Sequence, residues 1–411
     1  MSRGNIITGL DIGTYSIKAL AVQKKGSSCD VLSFAEIPSF GLRKGAVVSI
    51  EETSKNIQMI MAGVEKDCGR KINSVFVNIG GSHLYVIPSD GIISVSRADN
   101  RISREDVERV LQATKAINIP HNEEVLDVFP KEFIIDDQKG IKSPEGLEGI
   151  RLEAKVLLLC YFAPYFTNLT QAVLNSRLQI NDVIPSPLAA AKAVLTPQQK
   201  ELGVALIDIG AATTSLAVFE EGELMHLAIF PIGSANITND IAIGLKTDVA
   251  IAESIKKQHG TCVFVKAEKD KKNLRQPVDQ KKIEVFDKSS SLNFTKKMLV
   301  DIIEPRVSEI LDLAQKELKK IGRQELLPGG VVITGGGAKI PRIKELTKET
   351  LKLNCVIGEP KGIVGLEDDP ALATVAGLAL GGVDFDSDEG TMLNVVKIGS
   401  VFKKIFRAFK P

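Results

Sequence analysis

Two short segments, one in each half of the chain, hold residues that can bind phosphate. Residues 11–18 read DIGTYSIK, and residues 208–215 read DIGAATTS. Each copy follows an apolar run that is typical of a buried strand, and each leads into a second strand-like run. Glycine, threonine and serine in such a turn let backbone N–H groups and hydroxyls come close to phosphate oxygens. The repeat therefore predicts two phosphate-binding loops.

The aspartate that opens each copy adds a cation to this chemistry. At the end of a strand, the carboxylate of Asp11 or Asp208 can hold a magnesium ion, usually through water molecules. Two such loops that face each other would grip the phosphate chain of a nucleotide from both sides. A tight hairpin explains one copy alone, but two copies at matching points of two α/β halves favour a nucleotide site.

A third segment, residues 331–341 with the sequence VVITGGGAKIP, joins a buried strand to three glycines and a following helix. Glycines at this point let a flat base or a phosphate lie against the backbone. The spacing is not the G-x-G-x-x-G of dinucleotide-binding folds. The segment is therefore informative mainly in combination with the two loops.

Strands and helices alternate around these segments, which predicts an α/β architecture. Residues 83–163 have a different pattern of predicted strands, helix and loop, and we expect them to form a small inserted α+β module. Its helix is expected to begin with a capping box of Ser103 and Asp106. The expected strands are 5–13, 17–23, 30–37, 74–79, 91–96, 124–135, 151–162, 180–184 and 203–209. The expected helices are 51–68, 103–117, 164–177, 187–195 and 291–321, with a loop at 136–149.

Two charged stretches are predicted to lie outside the packed elements. Residues 260–296 are highly charged and poor in large apolar side chains, so we expect most of them to form a surface excursion. Residues 384–390 read DFDSDEG and are expected to be a solvated linker.

Chain length, net charge, cysteine spacing and hydropathy limit the classes of function that the sequence allows. A chain of 411 residues is expected to form two or more domains. Its 52 lysines and arginines nearly cancel 51 aspartates and glutamates, so nucleic acid is not an expected partner. Five scattered cysteines suit a reducing compartment. Because no apolar stretch reaches about 18 residues, we expect a cytoplasmic protein whose membrane contact is peripheral.

The last residues of the chain have the pattern of an amphipathic helix. Apolar side chains recur at three- and four-residue steps, and five basic residues and no acid lie between them. Such a helix is expected to lie in the interface of an anionic membrane. Docking on the protein's own core or in a partner's groove are the alternatives. The predicted membrane contacts are Ile398, Val401, Phe402, Lys403, Lys404, Ile405, Phe406, Arg407 and Phe409.

In this order, the two loops and the glycine segment resemble the actin, heat-shock ATPase and sugar-kinase superfamily. The resemblance implies ATP in a cleft between two ribonuclease-H-like halves, with Mg²⁺ flanked by Asp11 and Asp208. It also matches Glu253 and Lys256 to a pair that meets the ribose and adenine, although charged residues at this spacing are usually exposed helix pairs. The implied nucleotide-binding residues are Asp11, Gly13, Thr14, Tyr15, Ser16, Lys18, Asp208, Gly210, Ala211, Ala212, Thr213, Thr214, Gly233, Glu253, Lys256, Gly335, Gly336, Gly337 and Ala338.

Nearly the whole chain is similar to the FtsA family of bacterial cell-division adaptors. Beyond the loops, the similarity rests on residues 195–196, 201–204, 231–233, 238–242, 252–253, 257–260 and 303–306. It implies an actin-like two-domain fold with an inserted subdomain and a C-terminal amphipathic helix. It further implies self-assembly, other division proteins as partners, and tethering of FtsZ filaments to the inner face of the membrane at the division site. The expected contacts for the FtsZ C-terminal peptide are Arg306, Lys296 and Lys297.

The resemblance also divides the chain into domains. Residues 1–82 and 164–202 form the first half, to which 365–383 return, and 83–163 form the inserted subdomain. The nucleotide-binding core of the second half spans 203–245 and 329–364, and 246–328 form its outer subdomain, on which the FtsZ peptide docks. A linker at 384–396 precedes the membrane helix at 397–411.

One position bears on hydrolysis. Heat-shock ATPases carry a glutamate before a Pro-x-Ala-Ala motif, and the corresponding residue here is Ser186, which has no histidine nearby in sequence to make it a base. We therefore expect ATP binding with weak turnover at most, and Asp208 is the candidate for orienting water. A pilus-assembly adaptor of the PilM kind and a metabolite kinase of the same superfamily are the alternative functions.

Overall fold

The first half of the chain is built around a meander of three strands. The computed structural model describes residues 5–25, 28–263, 282–287 and 290–389. Strand β1 is buried almost throughout, as expected of a central strand covered on both faces. The first elements are β1 (Ile6–Ile12), β2 (Ser16–Lys25), β3 (Ser28–Pro38), β4 (Leu42–Arg43), β5 (Ala46–Val47), α1 (Ile50–Cys68) and β6 (Ser74–Ile79).

The inserted module is a separate sheet with its own hydrophobic core. Its elements are β7 (Tyr85–Ser94), α2 (Arg104–Ala113), β8 (Glu123–Ile135), β9 (Gln138–Ile141) and β10 (Arg151–Phe162), and the strand order is β7-β10-β8-β9. The predicted capping box is present, because Ser103 and Asp106 each bind the other's backbone N–H. Three local predictions were wrong: β7 begins earlier than residue 91, α2 ends at Ala113, and the expected loop contains β9.

The chain then returns to the first sheet through α3 (Ala163–Asn175), β11 (Gln179–Pro185), α4 (Ser186–Val194) and α5 (Pro197–Leu202). Strand β11 pairs with β6, and β6 pairs with β1, both in parallel. The completed sheet has the order β11-β6-β1-β2-β3.

The second half repeats this topology. Its sheet has the order β14-β13-β12-β17-β18, with the same antiparallel meander followed by parallel strands. Its elements are β12 (Val204–Ile209), β13 (Thr214–Glu220), β14 (Glu223–Phe230), α6 (Ser234–Leu245), α7 (Val249–His259), β15 (Lys282–Asp287), β16 (Ser290–Thr295), α8 (Lys296–Lys320), β17 (Val331–Thr334), α9 (Ile343–Leu351), β18 (Cys355–Ile357) and α10 (Ala373–Glu389). Helix α10 leaves the second half and packs against α4 and β1 of the first.

The structure corrects the prediction of a helix over residues 291–321. Residues 290–295 are strand β16, and α8 begins only at Lys296. The Thr295 hydroxyl accepts a hydrogen bond from the backbone N–H of Met298, which makes Thr295 the N-cap, and Phe294 is buried. Within the expected surface excursion, β15 and β16 pair as a hairpin, and residues 264–281 lie outside the described residues.

The expected linker also begins later than predicted. Residues 384–389 are the last turns of α10, and the Asp384 carboxylate forms an ion pair with Lys192 of α4. The ion pair offsets the negative charge of this acidic stretch at the point where α10 passes α4. The remaining linker residues and the predicted membrane contacts lie outside the described residues.

Two carboxylates from different sheets interact where the inserted module joins the first half. Asp127 lies on β8 and Asp182 on β11. Burial raises the pKa of Asp127 to about 7, and the negative charge of Asp182 adds to the effect. Burial likewise raises the pKa of Asp182 to about 6. Ionisation of this pair therefore opposes the packing of the two sheets.

We predict that Asp127→Asn stabilises the protein at neutral pH. The folded state holds the Asp127 proton more tightly than the unfolded chain, so the wild type should lose stability as the pH rises from about 4 to about 7. The amide can still accept the hydrogen bond from the N–H of Val128. Chemical unfolding at pH 8 should show a gain of about 1 to 2 kcal/mol, and the gain should vanish near pH 4.

The control is Asp301→Asn, which removes one charge from the exposed face of α8. It should leave the free energy of unfolding within about 0.5 kcal/mol of the wild type at both pH values. Equal stability of Asp127→Asn and wild type at pH 8 would contradict the prediction.

Candidate functional site

The sequence repeat is also a structural repeat. In the first loop, between β1 and β2, the N–H of Gly13 donates to the carbonyl of Ser16 at 3.2 Å. In the second, between β12 and β13, the N–H of Gly210 donates to the carbonyl of Thr213 at 2.9 Å. A β-carbon at Gly13 would lie only 2.8 Å from the Ser16 carbonyl oxygen, so the turn requires the glycine. The chain thus forms the same tight turn twice.

The two loops bring their aspartates close enough to interact. Asp11 is 7% exposed, and its carboxylate accepts a hydrogen bond from Asn78 at 2.9 Å and lies 3.8 Å from the Lys18 ammonium. Burial raises the pKa of Asp11. Removal from solvent and then the charge of Asp11 raise the pKa of Asp208 to about 7, while Lys18 and Thr374 act in the opposite direction. Because Lys18 also lies 3.8 Å from the Glu36 carboxylate, three carboxylates share the favourable charge of one lysine.

The glycine segment closes against the second loop. Gly335 has a φ of +83°, and a β-carbon there would lie 2.6 Å from the carbonyl oxygen of Ile209 and closer still to Asp208 Oδ1. The N–H of Gly335 donates to the carbonyl of Pro370 at 3.0 Å, which holds the segment in place. Backbone atoms can therefore approach the end of β12 only because this residue has no side chain.

Helix α6 also begins beside the second loop. The N–H groups of Ser234 and Ala235 donate to the carbonyls of Gly210 and Ala211 at 2.9 and 2.8 Å. A β-carbon at Gly233 would lie 2.6 Å from the Ala211 carbonyl oxygen. Gly233 therefore allows the start of the helix to contact the loop.

Comparison with known proteins identifies the family. A family model described as "Cell division protein FtsA" matches residues 205–377, and one described as "SHS2 domain inserted in FTSA" matches residues 81–160. The "Cell division protein FtsA" of Pseudomonas aeruginosa is 36% identical over 393 residues, which cover 95% of this chain and 92% of that protein. This chain belongs to the FtsA family. The Bacillus subtilis protein of the same name is 34% identical over 378 residues, covering 92% of this chain and 83% of the relative.

Solved structures agree with the FtsA assignment at the level of fold. A PilM-PilN type IV pilus biogenesis complex aligns with a TM-score of 0.65 and 19% identity over 92% of this chain and 98% of that chain. MreB5 of Spiroplasma citri bound to ADP aligns with a TM-score of 0.56 and 12% identity over 94% and 99%. The predicted actin-like fold with an FtsA-type insertion is confirmed. Among the described residues, no helix has the length and apolarity needed to cross a membrane.

The site of this FtsA-family chain includes a residue that sequence reasoning missed. The Asn78 carboxamide accepts from the N–H of Ile12 at 2.7 Å and donates to Asp11 and to Ser186 at 2.9 and 3.0 Å. Asn78 is a polar residue near the end of the apolar run SVFVNI, and this pattern could have identified it from the sequence. The Ser186 hydroxyl donates to the carbonyl of Ile79 at 3.1 Å, so its proton is engaged within the fold. Thr374, which interacts with Asp208, lies on α10, and no comparable sequence pattern marks it.

Glu253 and Lys256 lie on α7 and are tied to the start of α6. The Lys256 ammonium is buried and contacts the carbonyl of Ser234 at 3.1 Å, the hydroxyl of Thr238 at 2.7 Å and the Glu253 carboxylate at 2.6 Å. These three contacts use its three hydrogens. Lys256 therefore positions α6 and α7 beside the second loop through contacts within the protein.

Several predicted phosphate contacts have structural partners. Thr14 accepts a hydrogen bond from the N–H of Gly45 at 2.9 Å, and the buried Thr214 hydroxyl donates to the carbonyl of Ile232 at 2.8 Å. Ser16 is buried in β2, whereas Tyr15 is exposed. Loop residues Ala211, Ala212 and Thr213 are half-buried, as are Gly13 and Gly210; Gly336 is exposed, and Gly337 and Ala338 are buried in the glycine segment.

The predicted peptide contacts lie on α8 rather than at the loops. Arg306 forms a bidentate ion pair with Asp240, at 2.6 and 3.0 Å, and a further ion pair with Glu309. Lys296 and Lys297 are exposed in the first turn of the helix. Of the three basic residues, the two lysines are therefore the more accessible.

Proposed function

We propose that this FtsA-family protein binds ATP between its two halves, assembles with copies of itself, and tethers FtsZ filaments to the inner face of the bacterial membrane at the division site. Three loops meet around Asp208, and this arrangement is the main support for nucleotide binding. Gly335 lies against this residue, the second loop begins beside it, and its pKa responds to Asp11 of the first loop. Family membership supports the role in division.

The residues at the loops fit both ATP and Mg²⁺. Asp11 and Asp208 repel each other, with Lys18 as the lysine that faces them both. A divalent cation held by these two carboxylates, usually through water, would offset that repulsion. When bound, magnesium neutralises part of the phosphate charge. The carboxylates are thus the proposed magnesium ligands, and the two turns the proposed phosphate contacts.

The chain's own groups favour binding over rapid hydrolysis. Backbone N–H groups in the loops can donate to phosphate oxygens, and the glycine segment offers a surface for adenosine. Ser186 has its hydroxyl proton on the Ile79 carbonyl and accepts from Asn78, so it is not placed as a general base. The nucleotide would then act chiefly as a conformational and assembly ligand, with slow turnover.

Helix α8 offers the proposed contact for the acidic FtsZ peptide. Lys296 and Lys297 lie exposed at its start, near the β15–β16 hairpin that precedes it. Arg306 is held by Asp240 and Glu309 and would have to leave them to bind the peptide. We therefore assign the larger share of the peptide's electrostatic attraction to the lysines.

The alternative functions are less well supported. The likeness to the pilus complex is at 19% identity and bears on fold alone, whereas FtsA relatives reach 36%. A metabolite kinase would need a catalytic aspartate in a sugar-binding loop, and the sequence offers no such loop. The amphipathic pattern of residues 397–411 also favours the membrane-bound adaptor.

We predict that the full chain carries FtsZ filaments into the pellet when it is sedimented with anionic lipid vesicles. A chain that ends at Thr391 lacks the amphipathic residues, so both it and FtsZ should stay in the supernatant. Lys296→Glu with Lys297→Glu should leave the protein on the vesicles and reduce the FtsZ in the pellet several-fold, because each lysine becomes a repulsive charge.

Lys319→Glu with Lys320→Glu, at the opposite end of α8, is the matched charge control and should retain FtsZ in the pellet. Vesicle binding by the full chain without any recruitment of FtsZ would contradict the proposed tethering. Vesicle binding by the shortened chain would contradict the role of the tail.

A further inference from the structure

The tip of the first loop is held firmly on the side of the first half. The carbonyl of Tyr15 accepts a hydrogen bond from the N–H of Ser39 at 3.1 Å, and the neighbouring Thr14 hydroxyl accepts from Gly45 at 2.9 Å. The Tyr15 side chain nevertheless stays 58% exposed. A large aromatic side chain is thus presented at a fixed position beside the phosphate-binding turn.

The tyrosine ring contacts a residue from the other half of the molecule. The Lys257 ammonium, on α7, lies 3.3 Å from the Tyr15 hydroxyl and 5.4 Å from the centre of its ring. The same ammonium lies 3.5 Å from the Glu253 carboxylate, which in turn binds Lys256. The Glu253 carboxylate therefore orients Lys257 toward the first loop, and the contact joins the β1–β2 loop of the first half to a helix of the second half.

We propose that Tyr15 and Lys257 form a clasp across the mouth of the nucleotide cleft and slow the release of bound nucleotide. The inference rests on the proposed ATP site, because one member of the clasp lies in the first loop and the other lies on the helix that carries Glu253. The two halves cannot separate at this point unless the ammonium leaves both the ring and the hydroxyl. The clasp is a release barrier and takes no part in phosphate chemistry.

The clasp should act on the dissociation rate and show coupling between its members. A hydrogen bond and a cation–π contact at an exposed site are individually weak, so we expect Tyr15→Ala and Lys257→Ala each to speed release of a fluorescent ATP analogue by about three- to fivefold. Tyr15→Phe keeps the ring and should show a smaller increase. The double variant should release the analogue no faster than the faster single variant, because both changes remove one shared interaction.

A measurement without nucleotide separates the clasp from the ATP site. In the nucleotide-free full chain, Lys257→Ala should speed backbone hydrogen exchange in residues 13–16, although the substitution is in the other half. Lys319→Ala, which removes the same charge from the exposed end of α8, should leave this exchange and the release rate unchanged.

The outcomes are distinguishable. If the wild type binds the ATP analogue but Tyr15→Ala and Lys257→Ala release it at the wild-type rate, the clasp is refuted and the ATP site stands. If the wild type binds no analogue while Lys257→Ala still alters exchange in the first loop, the contact between the halves stands and the proposed nucleotide function fails. Unchanged exchange in Lys257→Ala would overturn the clasp directly.

Discussion

Gly335→Ala should weaken ATP binding at least about 30-fold, whereas Gly63→Ala, on the exposed face of α1, should bind ATP like the wild type. Gly335 has a φ of +83°, which disfavours any side chain, and its β-carbon would collide with Asp208 and the carbonyl of Ile209. Either the glycine segment or the end of β12 must move, and both belong to the proposed site. At Gly63, which lies outside the proposed site, a β-carbon would meet nothing within 4 Å.

Isothermal titration of ATP with magnesium into the two variants checks this prediction. We expect at least about 30-fold weaker binding for Gly335→Ala, which corresponds to about 2 kcal/mol. The strained backbone should also lower the free energy of unfolding by about 1 to 3 kcal/mol, so thermal unfolding is recorded in parallel to show that the variant is folded. A folded Gly335→Ala that binds ATP like the wild type would show that the glycine segment is not part of the site.

Asp208→Asn should remove most of the benefit of magnesium without destabilising the protein. The amide has nearly the same shape but carries no charge, so it attracts a divalent cation much more weakly than the carboxylate does. Binding of ATP with magnesium should weaken on the order of 100-fold, about 2.7 kcal/mol. Binding in excess EDTA should not weaken and should become somewhat tighter, because the substitution removes a carboxylate that repels the phosphates while the proposed loop contacts remain.

The nucleotide-free stability of this variant provides an independent check. The pKa of Asp208 is raised to about 7 in the folded protein, so above that pH its ionised form opposes folding. Asp208→Asn should therefore be at least as stable as the wild type at pH 8. Asp312→Asn, on the exposed face of α8, is the control for loss of one negative charge. Magnesium-dependent ATP binding at the wild-type level in Asp208→Asn would argue against a magnesium role for this carboxylate.

The two loops were predictable because their conformation is local. In both copies a glycine two residues after the aspartate closes the same turn, and the strand registers are equivalent, with Asp11 opposite Lys18 and Asp208 opposite Ser215. Local residue types thus specify the turns. The topology that brings the loops together was supplied by the family resemblance, and the repeated strand order in the two sheets is consistent with it.

The supporting residues were not predictable in the same way, because they come from distant parts of the chain. Asn78 is 67 positions from Asp11, and the hydrogen bond between them depends on the parallel pairing of β6 with β1. Thr374 reaches Asp208 because it lies in the first turn of α10, shortly after Pro370, whose carbonyl holds the glycine segment beside Asp208. No local pattern encodes such a pairing.

The start of α8 was predicted wrongly for a different reason. Residues 291–295 have alternating polar and apolar side chains, and their apolar positions also fit a helical period over so short a span. Pairing with β15 decides the outcome, since Phe294 is then buried and Thr295 caps the helix. Strand pairing thus decides the conformation of this short segment, although a long helix begins directly after it.

The most direct test of the account is a titration of ATP into the full-length chain, once with magnesium and once with excess EDTA. We predict one ATP bound per chain, with binding at least about 100-fold weaker in EDTA, because Asp11 and Asp208 then repel each other and the phosphates without an intervening cation. If the chain binds no ATP at millimolar concentrations, with or without magnesium, the proposed nucleotide site is contradicted. The repeated loops would then be structural turns of the actin-like fold.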